Sequence, residues 1–348
     1  MAEYDLVVIG SGPGGQKAAI AAAKLGKHVA IVERHELVGG VCLNQGTIPS
    51  KTLREAVLYL AGTRQREIYG YAYRVKEKIT MDDLMFRCHK VIQNEIQVVR
   101  DQLQRNDVEV VLGAGCFVDP NRIMVTATDS MRVLEADKIV IAVGTKPARP
   151  KGIEFNDSTV VDSDGLLNLK VLPKSAAVVG AGIIGVEYAS MFQALGVRMT
   201  LVDGRKVPLE FLDREIEETL MFYLRDEGMV QRFGEKVARV QPVNGRVRMV
   251  MESGKELSTD FVMFAAGRVG AIEGLNLAAV GIEADDRGRI KVDQNFRTSV
   301  EGIYAVGDVI GFPMLASFVE EGFEDAFADG ADLDEGDLPR RGRGPILP

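Results

Sequence analysis

Glycine clusters carry the first chemistry in this sequence. Gly10-Ser-Gly12-Pro-Gly14-Gly15 follows an apolar run, Tyr4 to Ile9, and opens an Ala-rich stretch. That arrangement suits a dinucleotide. Gly10 permits a tight turn, Gly12 lets a pyrophosphate approach the backbone, and Gly15 lets helix and strand pack closely. A helix starting there offers free N–H groups and a partial positive charge to phosphates. Glu33, at the end of the next apolar run, can accept hydrogen bonds from ribose hydroxyls. The pattern returns as Gly180-Ala-Gly182-Ile-Ile-Gly185, and Asp203 follows Gly180 at the same 23-residue interval that separates Glu33 from Gly10. Two such sites predict electrons passing between two different dinucleotides. Gly204-Arg205-Lys206 comes next: the acid favours an unphosphorylated ribose, whereas a nearby Arg accommodates a 2′-phosphate. The sequence leaves NAD and NADP both open, and leaves open that Arg205 and Lys206 are ordinary solvated loop charges.

These residues need strands and helices to place them. Tyr4 to Ile9 reads as a buried parallel strand, Gly14 to Leu25 as a helix and His28 to Val32 as a second strand. Ala176 to Val179, Ile183 to Leu195 and Arg198 to Val202 repeat that βαβ order. Between the copies, helical patterns run from Lys51 to about Tyr59 and from Met81 to Arg105, with short strands at Val108 to Leu112 and Arg122 to Ala127. Two more apolar strands, Lys138 to Gly144 and Asp260 to Gly267, end in glycine, and Lys146 to Pro150 reads as a connector between domains. His28, His35 and His89 form no catalytic pattern.

Composition narrows the function classes. The 348 residues favour two or three domains, and 37 glycines exceed the usual ~7%. A net charge of −8 argues against a basic face for nucleic acid. Cys42, Cys88 and Cys116 form neither a CxxC pair nor a metal-ligand set, so no metal and a reduced, cytoplasmic protein are expected. No stretch reaches the ~20 apolar residues of a membrane span, and the first residues lack the basic region of a signal peptide.

Two longer segments complete the pattern. Gly39-Gly-Val-Cys42-Leu-Asn-Gln-Gly-Thr47-Ile-Pro-Ser-Lys51 and Thr298-Ser-Val-Glu-Gly-Ile-Tyr-Ala-Val-Gly307-Asp308, together with both fingerprints, resemble the two-dinucleotide flavoprotein family that includes dihydrolipoamide dehydrogenase, glutathione reductase and mercuric reductase. The resemblance covers about Tyr4 to Ser317. It implies an α/β fold of two Rossmann-like domains, the second inserted into the first: an FAD domain in 1–150 and 271–317, and an NAD(P) domain in 151–270. FAD would be held by Gly10, Gly12, Gly14, Gly15, Glu33, Lys51, Gly144 and Asp308, the last through the ribityl chain. NAD(P) would be held by Gly180, Gly182, Gly185, Asp203, Arg205 and Gly267. Lys51 and Glu187 would form an ion pair beside the flavin N5, where a cation helps stabilise negative charge on the reduced ring. Read without the family, each is an ordinary surface charge.

One position departs from the disulfide reductases. They place a second cysteine five residues after the first, whereas Cys42 here is followed at that interval by Thr47, and a single thiol cannot relay electrons to a disulfide. Cys42 and Thr47 stay among the catalytic positions by resemblance; by itself, Cys42 reads as an inert small residue. Cys with Thr in this context is similar to members whose two substrates, NADPH and NAD⁺, are both nicotinamide nucleotides. The expected function is FAD-dependent hydride transfer between them. The alternatives are a dihydrolipoamide dehydrogenase-like reductase and a nucleotide-binding fragment with little activity. The second arises because residues 318–348 turn acidic, then rich in Arg, Gly and Pro, where the family places a domain that makes a homo-oligomer. A disordered tail and impaired association are expected, with one short helix possible at Val319, Phe323 and Phe327.

Overall fold

A computed structural model of the protein describes residues 2–62, 68–70, 76 and 78–311. The tail expectations and the helix at Val319 to Phe327 lie outside these residues. Strand β1 (Tyr4–Ile9) is followed by α1 (Pro13–Lys24) and β2 (Val29–Glu33), which pairs parallel with β1. Ala18, Ala19 and Ala22 of α1 are fully buried. Their small side chains let the helix lie close against the apolar strands. A five-residue α2 (Gly40–Asn44) precedes α3 (Thr47–Leu60). Helix α3 thus starts four residues before the expected Lys51. Pro49 is tolerated in its first turn, where its missing N–H breaks no intrahelical bond.

Helix α4 (Met81–Arg105) has the expected bounds and is closed at its start by a reciprocal Thr80–Asp83 capping box. Its apolar face and that of α3 enter one buried cluster, with Leu53, Leu84 and Cys88. Then β3 (Glu109–Leu112), β4 (Ala114–Asp119), β5 (Arg122–Thr126) and β6 (Met131–Ile141) complete the first half of the chain. The first sheet runs β3-β2-β1-β6 in parallel, and β4 and β5 extend it antiparallel along the outer half of β6.

The segment read as a connector overlaps β7 (Thr145–Pro147), which pairs antiparallel with a later strand, β16 (Arg268–Gly270). The two crossings are therefore tied into one ribbon. Between them lie β8 (Val160–Asp162), β9 (Ser175–Val179), α5 (Ile183–Ala194), β10 (Arg198–Asp203), α6 (Arg214–Asp226), β11 (Val230–Phe233), an antiparallel trio β12 (Val237–Val243), β13 (Arg246–Met251) and β14 (Glu256–Thr259), and β15 (Phe261–Phe264). Strands β11-β10-β9-β15-β8 make a second parallel sheet. The chain returns to the first sheet with β17 (Ile303–Ala305), parallel to β6. An insertion of one doubly wound unit into another is the result.

Leu53, Met85 and Cys88 share a buried cluster with Val161, Tyr188 and Met263, so the two sheets' helices meet through apolar packing. Each fully buried aliphatic side chain there is worth roughly 1.5–3 kcal/mol. Burial pushes the Cys88 thiol up to about 11, and it acts as packing.

Candidate functional site

The first fingerprint closes as its glycines require. Gly10 has φ +108, and a Cβ there would lie 2.4 Å from the Ala142 carbonyl oxygen. A Cβ on Gly15 would lie 2.0 Å from the Gly10 oxygen, so this glycine is needed for helix-to-strand contact. Gly12 is different: a Cβ there meets nothing within 4 Å. It caps α1 in extended conformation and borders a cavity of about 930 Å³. Gly14 contacts the return segment, with a Cβ position 3.4 Å from Val306 and 3.6 Å from the Gly307 backbone. Asp308 is thereby brought to the same cavity, whose walls also include Gly144, Cys42, Thr47 and Lys51.

Glu33 is buried and already engaged. Its Oε2 accepts from the Ser11 hydroxyl at 2.5 Å and the Ser11 N–H at 3.1 Å, and its Oε1 accepts from the His35 N–H at 3.0 Å. These bonds fix the carboxylate at the cavity wall, with Oε1 keeping room for a ribose hydroxyl. Asn44 also lines the cavity, and its Oδ1 has no hydrogen-bond partner among the described residues. A glycine cradle, a helix N-terminus, a fixed acid and a spare acceptor around one cavity fit FAD.

Lys51 and Glu187, 136 residues apart, meet in this wall with Nζ 2.5 Å from Oε1. Each sits near its helix's start, and a cation there is unfavourable until an anion compensates it. Ile183 and Ile184, from the first turn of α5, line the cavity beside Glu187, so the second fingerprint's helix opens onto the first site.

The second fingerprint repeats the first's geometry. Gly180 has φ +114 and a Cβ position 2.2 Å from the Ala265 oxygen, Gly185 lies 1.8 Å by the same measure from the Gly180 oxygen, and Gly182 is open. Gly267 has φ +98 just before β16. Arg205 grips Asp203, Nε to Oδ1 at 3.0 Å and Nη2 to Oδ2 at 2.7 Å. Burial pushes the Asp203 carboxyl up, but hydrogen bonds from Arg205 and Ala181 hold it below its usual range.

Sequence reasoning missed a junction network. Arg268 donates to the Thr145 hydroxyl at 2.8 Å, the Thr145 carbonyl at 2.9 Å and Asp164 at 3.1 Å. The Thr145 hydroxyl in turn donates to Asp308 at 3.4 Å. Burial pushes both Asp164 and Asp308 up, and Arg268 opposes it. A lone Arg after a glycine carries no sequence signal of such a role.

Comparison with known proteins places this geometry. The pattern of the pyridine nucleotide-disulphide oxidoreductase family matches residues 4–321. A soluble pyridine nucleotide transhydrogenase of Mycobacterium bovis (strain BCG / Pasteur 1173P2) is 56% identical over 319 residues, 91% of this chain and 68% of the relative. One from Aliivibrio fischeri is 44% identical over 90% of this chain and 67% of its own. Among solved structures, the HOCl-induced flavoprotein disulfide reductase RclA from Escherichia coli, as its Cu(II) complex, superposes with a TM-score of 0.84 at 28% identity, covering 97% of this chain and 72% of that one. LpdA from Mycobacterium tuberculosis gives 0.84 at 27%, covering 97% and 74%.

Proposed function

Because the chain belongs to the pyridine nucleotide-disulphide oxidoreductase family, we propose that it catalyses FAD-dependent hydride transfer between NADPH and NAD⁺, the two nucleotides using the second fingerprint in turn. We place FAD in 1–150 with 271–317 and the nicotinamide nucleotide in 151–270, in the reduced cytoplasmic setting that three unpaired cysteines suit. The observation that carries the reading is the Lys51–Glu187 pair in a wall shared by both fingerprints, with Thr47 where a relay would need a thiol.

When bound, FAD supplies a ring that accepts a hydride from one nicotinamide and gives it to another. The protein's residues do the rest. The α1 N-terminus and Gly12 seat the pyrophosphate, Glu33 takes the ribose, and Asp308 takes the ribityl hydroxyls. Lys51 holds positive charge at the cavity wall, and Glu187 keeps its ammonium in place. Arg268 and Thr145 fix Asp308 relative to the crossing ribbon, so the alignment on which transfer depends is set by rigid elements. Cys42 lines the cavity without a second thiol.

The direct test is NADPH-dependent reduction of an NAD⁺ analogue by FAD-loaded protein, with lipoamide and disulfide substrates as controls. Turnover of the first without the second is expected; the reverse overturns the reading. A Cys42→Ser variant should keep transfer within about twofold and bleach its flavin with a single two-electron equivalent. Abolished transfer with flavin retained would make the thiol catalytic. In Lys51→Met, kcat should fall about tenfold, the modest end for an electrostatic donor because this side chain is 60% exposed. Because Lys51 also borders the cavity, flavin content is measured alongside, and rapid-mixing reduction of the flavin-loaded fraction by NADPH reads the step.

A further inference from the structure

The side chains gathered at the end of β10 have a composition that the fingerprint alone does not explain. Asp203 is fixed: its side chain is 7% exposed, and Oδ2 accepts the Ala181 N–H at 2.6 Å while Oδ1 accepts the Arg205 N–H at 2.7 Å. The Arg205 guanidinium that completes its shell is 44% exposed and can swing into water. Its departure removes one bond from each carboxylate oxygen, Nε from Oδ1 and Nη2 from Oδ2. Two acceptors are released, and a ribose 2′,3′-diol offers two donors.

A second loop brings more cations. Gly234 N–H donates to the Arg205 carbonyl at 2.9 Å and Glu235 N–H to the Asp203 carbonyl at 3.1 Å. The Lys236 stem lies against Gly204, where a Cβ would come within 2.9 Å of its Cγ, and the Lys206 stem lies against Gly234 at 3.5 Å by the same measure. Lys206 and Lys236 are exposed and have no ion-pair partner among the described residues. A phosphate near −2 placed against a bare Asp203 would be repelled; with Arg205 between them it meets a guanidinium flanked by two ammonium groups.

Resting on the reading that the second fingerprint holds the nicotinamide nucleotide, we infer that one adenosine pocket serves both nucleotides because Arg205 is an exchangeable counter-ion. It screens Asp203 beneath a 2′-phosphate, with Lys206 and Lys236 beside it, and it yields the Asp203 oxygens to an unphosphorylated ribose. Lys236 is thereby a specificity-determining residue contributed by a loop outside the fingerprint.

Calorimetric titration of the FAD-loaded protein with 2′,5′-ADP and with 5′-ADP tests this without hydride chemistry. Arg205→Ala should raise the Kd for 2′,5′-ADP about tenfold or more and leave that for 5′-ADP unchanged or lower. Lys236→Gln, at an exposed position safe for folding, should weaken 2′,5′-ADP alone, about three- to tenfold, and reduce the salt dependence of its binding. Equal weakening of both ligands by Arg205→Ala, or no effect of Lys236→Gln on 2′,5′-ADP, overturns the inference while leaving the nucleotide assignment standing. Failure of both ligands to bind the unmodified protein overturns that assignment, and the inference with it.

Discussion

A Gly12→Val variant is expected to fold normally and purify without flavin colour. The backbone at Gly12 has φ −65 and ψ 174, an extended conformation open to any residue, and a Cβ there meets nothing within 4 Å. The substitution therefore costs the fold little. Its side chain enters the space at the start of α1 where a pyrophosphate would contact the backbone. Steric displacement of ~1–3 kcal/mol, with charge-assisted N–H bonds lost besides, lowers FAD affinity by roughly a hundredfold or more. Visible absorbance and thermal melting, measured together, check both halves. Gly15→Ala is the contrasting variant: its Cβ would lie 2.0 Å from the Gly10 oxygen, so the helix must shift and the melting temperature should fall. A fully coloured Gly12→Val protein would remove the first fingerprint from the flavin site.

What the sequence made legible follows from how far each constraint reaches. Gly15 and Gly185 answer to the carbonyls of Gly10 and Gly180 five residues back, so their spacing disclosed the two turns, whereas the contacts of Gly10 with Ala142 and of Gly180 with Ala265 are tertiary and left no mark in the spacing. Long periodic segments such as α4 were readable for the same reason: Thr80 and Asp83 mark the start, and the apolar face persists to Leu103. The ribbon of β7 and β16 was not, because three residues are too few for an alternation, and the strands pair across more than a hundred positions of sequence. Charge pairs behave similarly. Lys51 and Glu187 each read as a surface charge, and the resemblance brought them together in advance of the structure. Arg268 and Lys236 had no such help, since their partners, Thr145 and Asp164 for one and the Gly204 backbone for the other, are set by tertiary packing.

Gly182→Val should produce the complementary phenotype: a yellow protein that NADPH and NADH reduce only slowly. Gly182 has φ −86 and ψ −175, again extended, and again its Cβ position is empty to 4 Å. The valine would obstruct the N-terminus of α5, from which Ile183 and Ile184 lead into the cavity wall. Gly182 itself lies outside that wall, so the flavin should stay bound with its stoichiometry unchanged. Flavin reduction by either nucleotide under anaerobic conditions should slow by two orders of magnitude at subsaturating concentration, the same roughly 3 kcal/mol argued for Gly12. Dithionite should still reduce it, which separates a lost nucleotide site from a damaged flavin. Gly185→Ala would not serve, because its Cβ would lie 1.8 Å from the Gly180 oxygen and the turn itself would open. Loss of flavin from Gly182→Val, or reduction by NADPH at the unmodified rate, would contradict the assignment of the two fingerprints. If each glycine variant loses only its own ligand, the two sites are functionally separate, and the α5 first turn, whose Ile183 and Ile184 line the cavity that Gly12 borders, is where they adjoin.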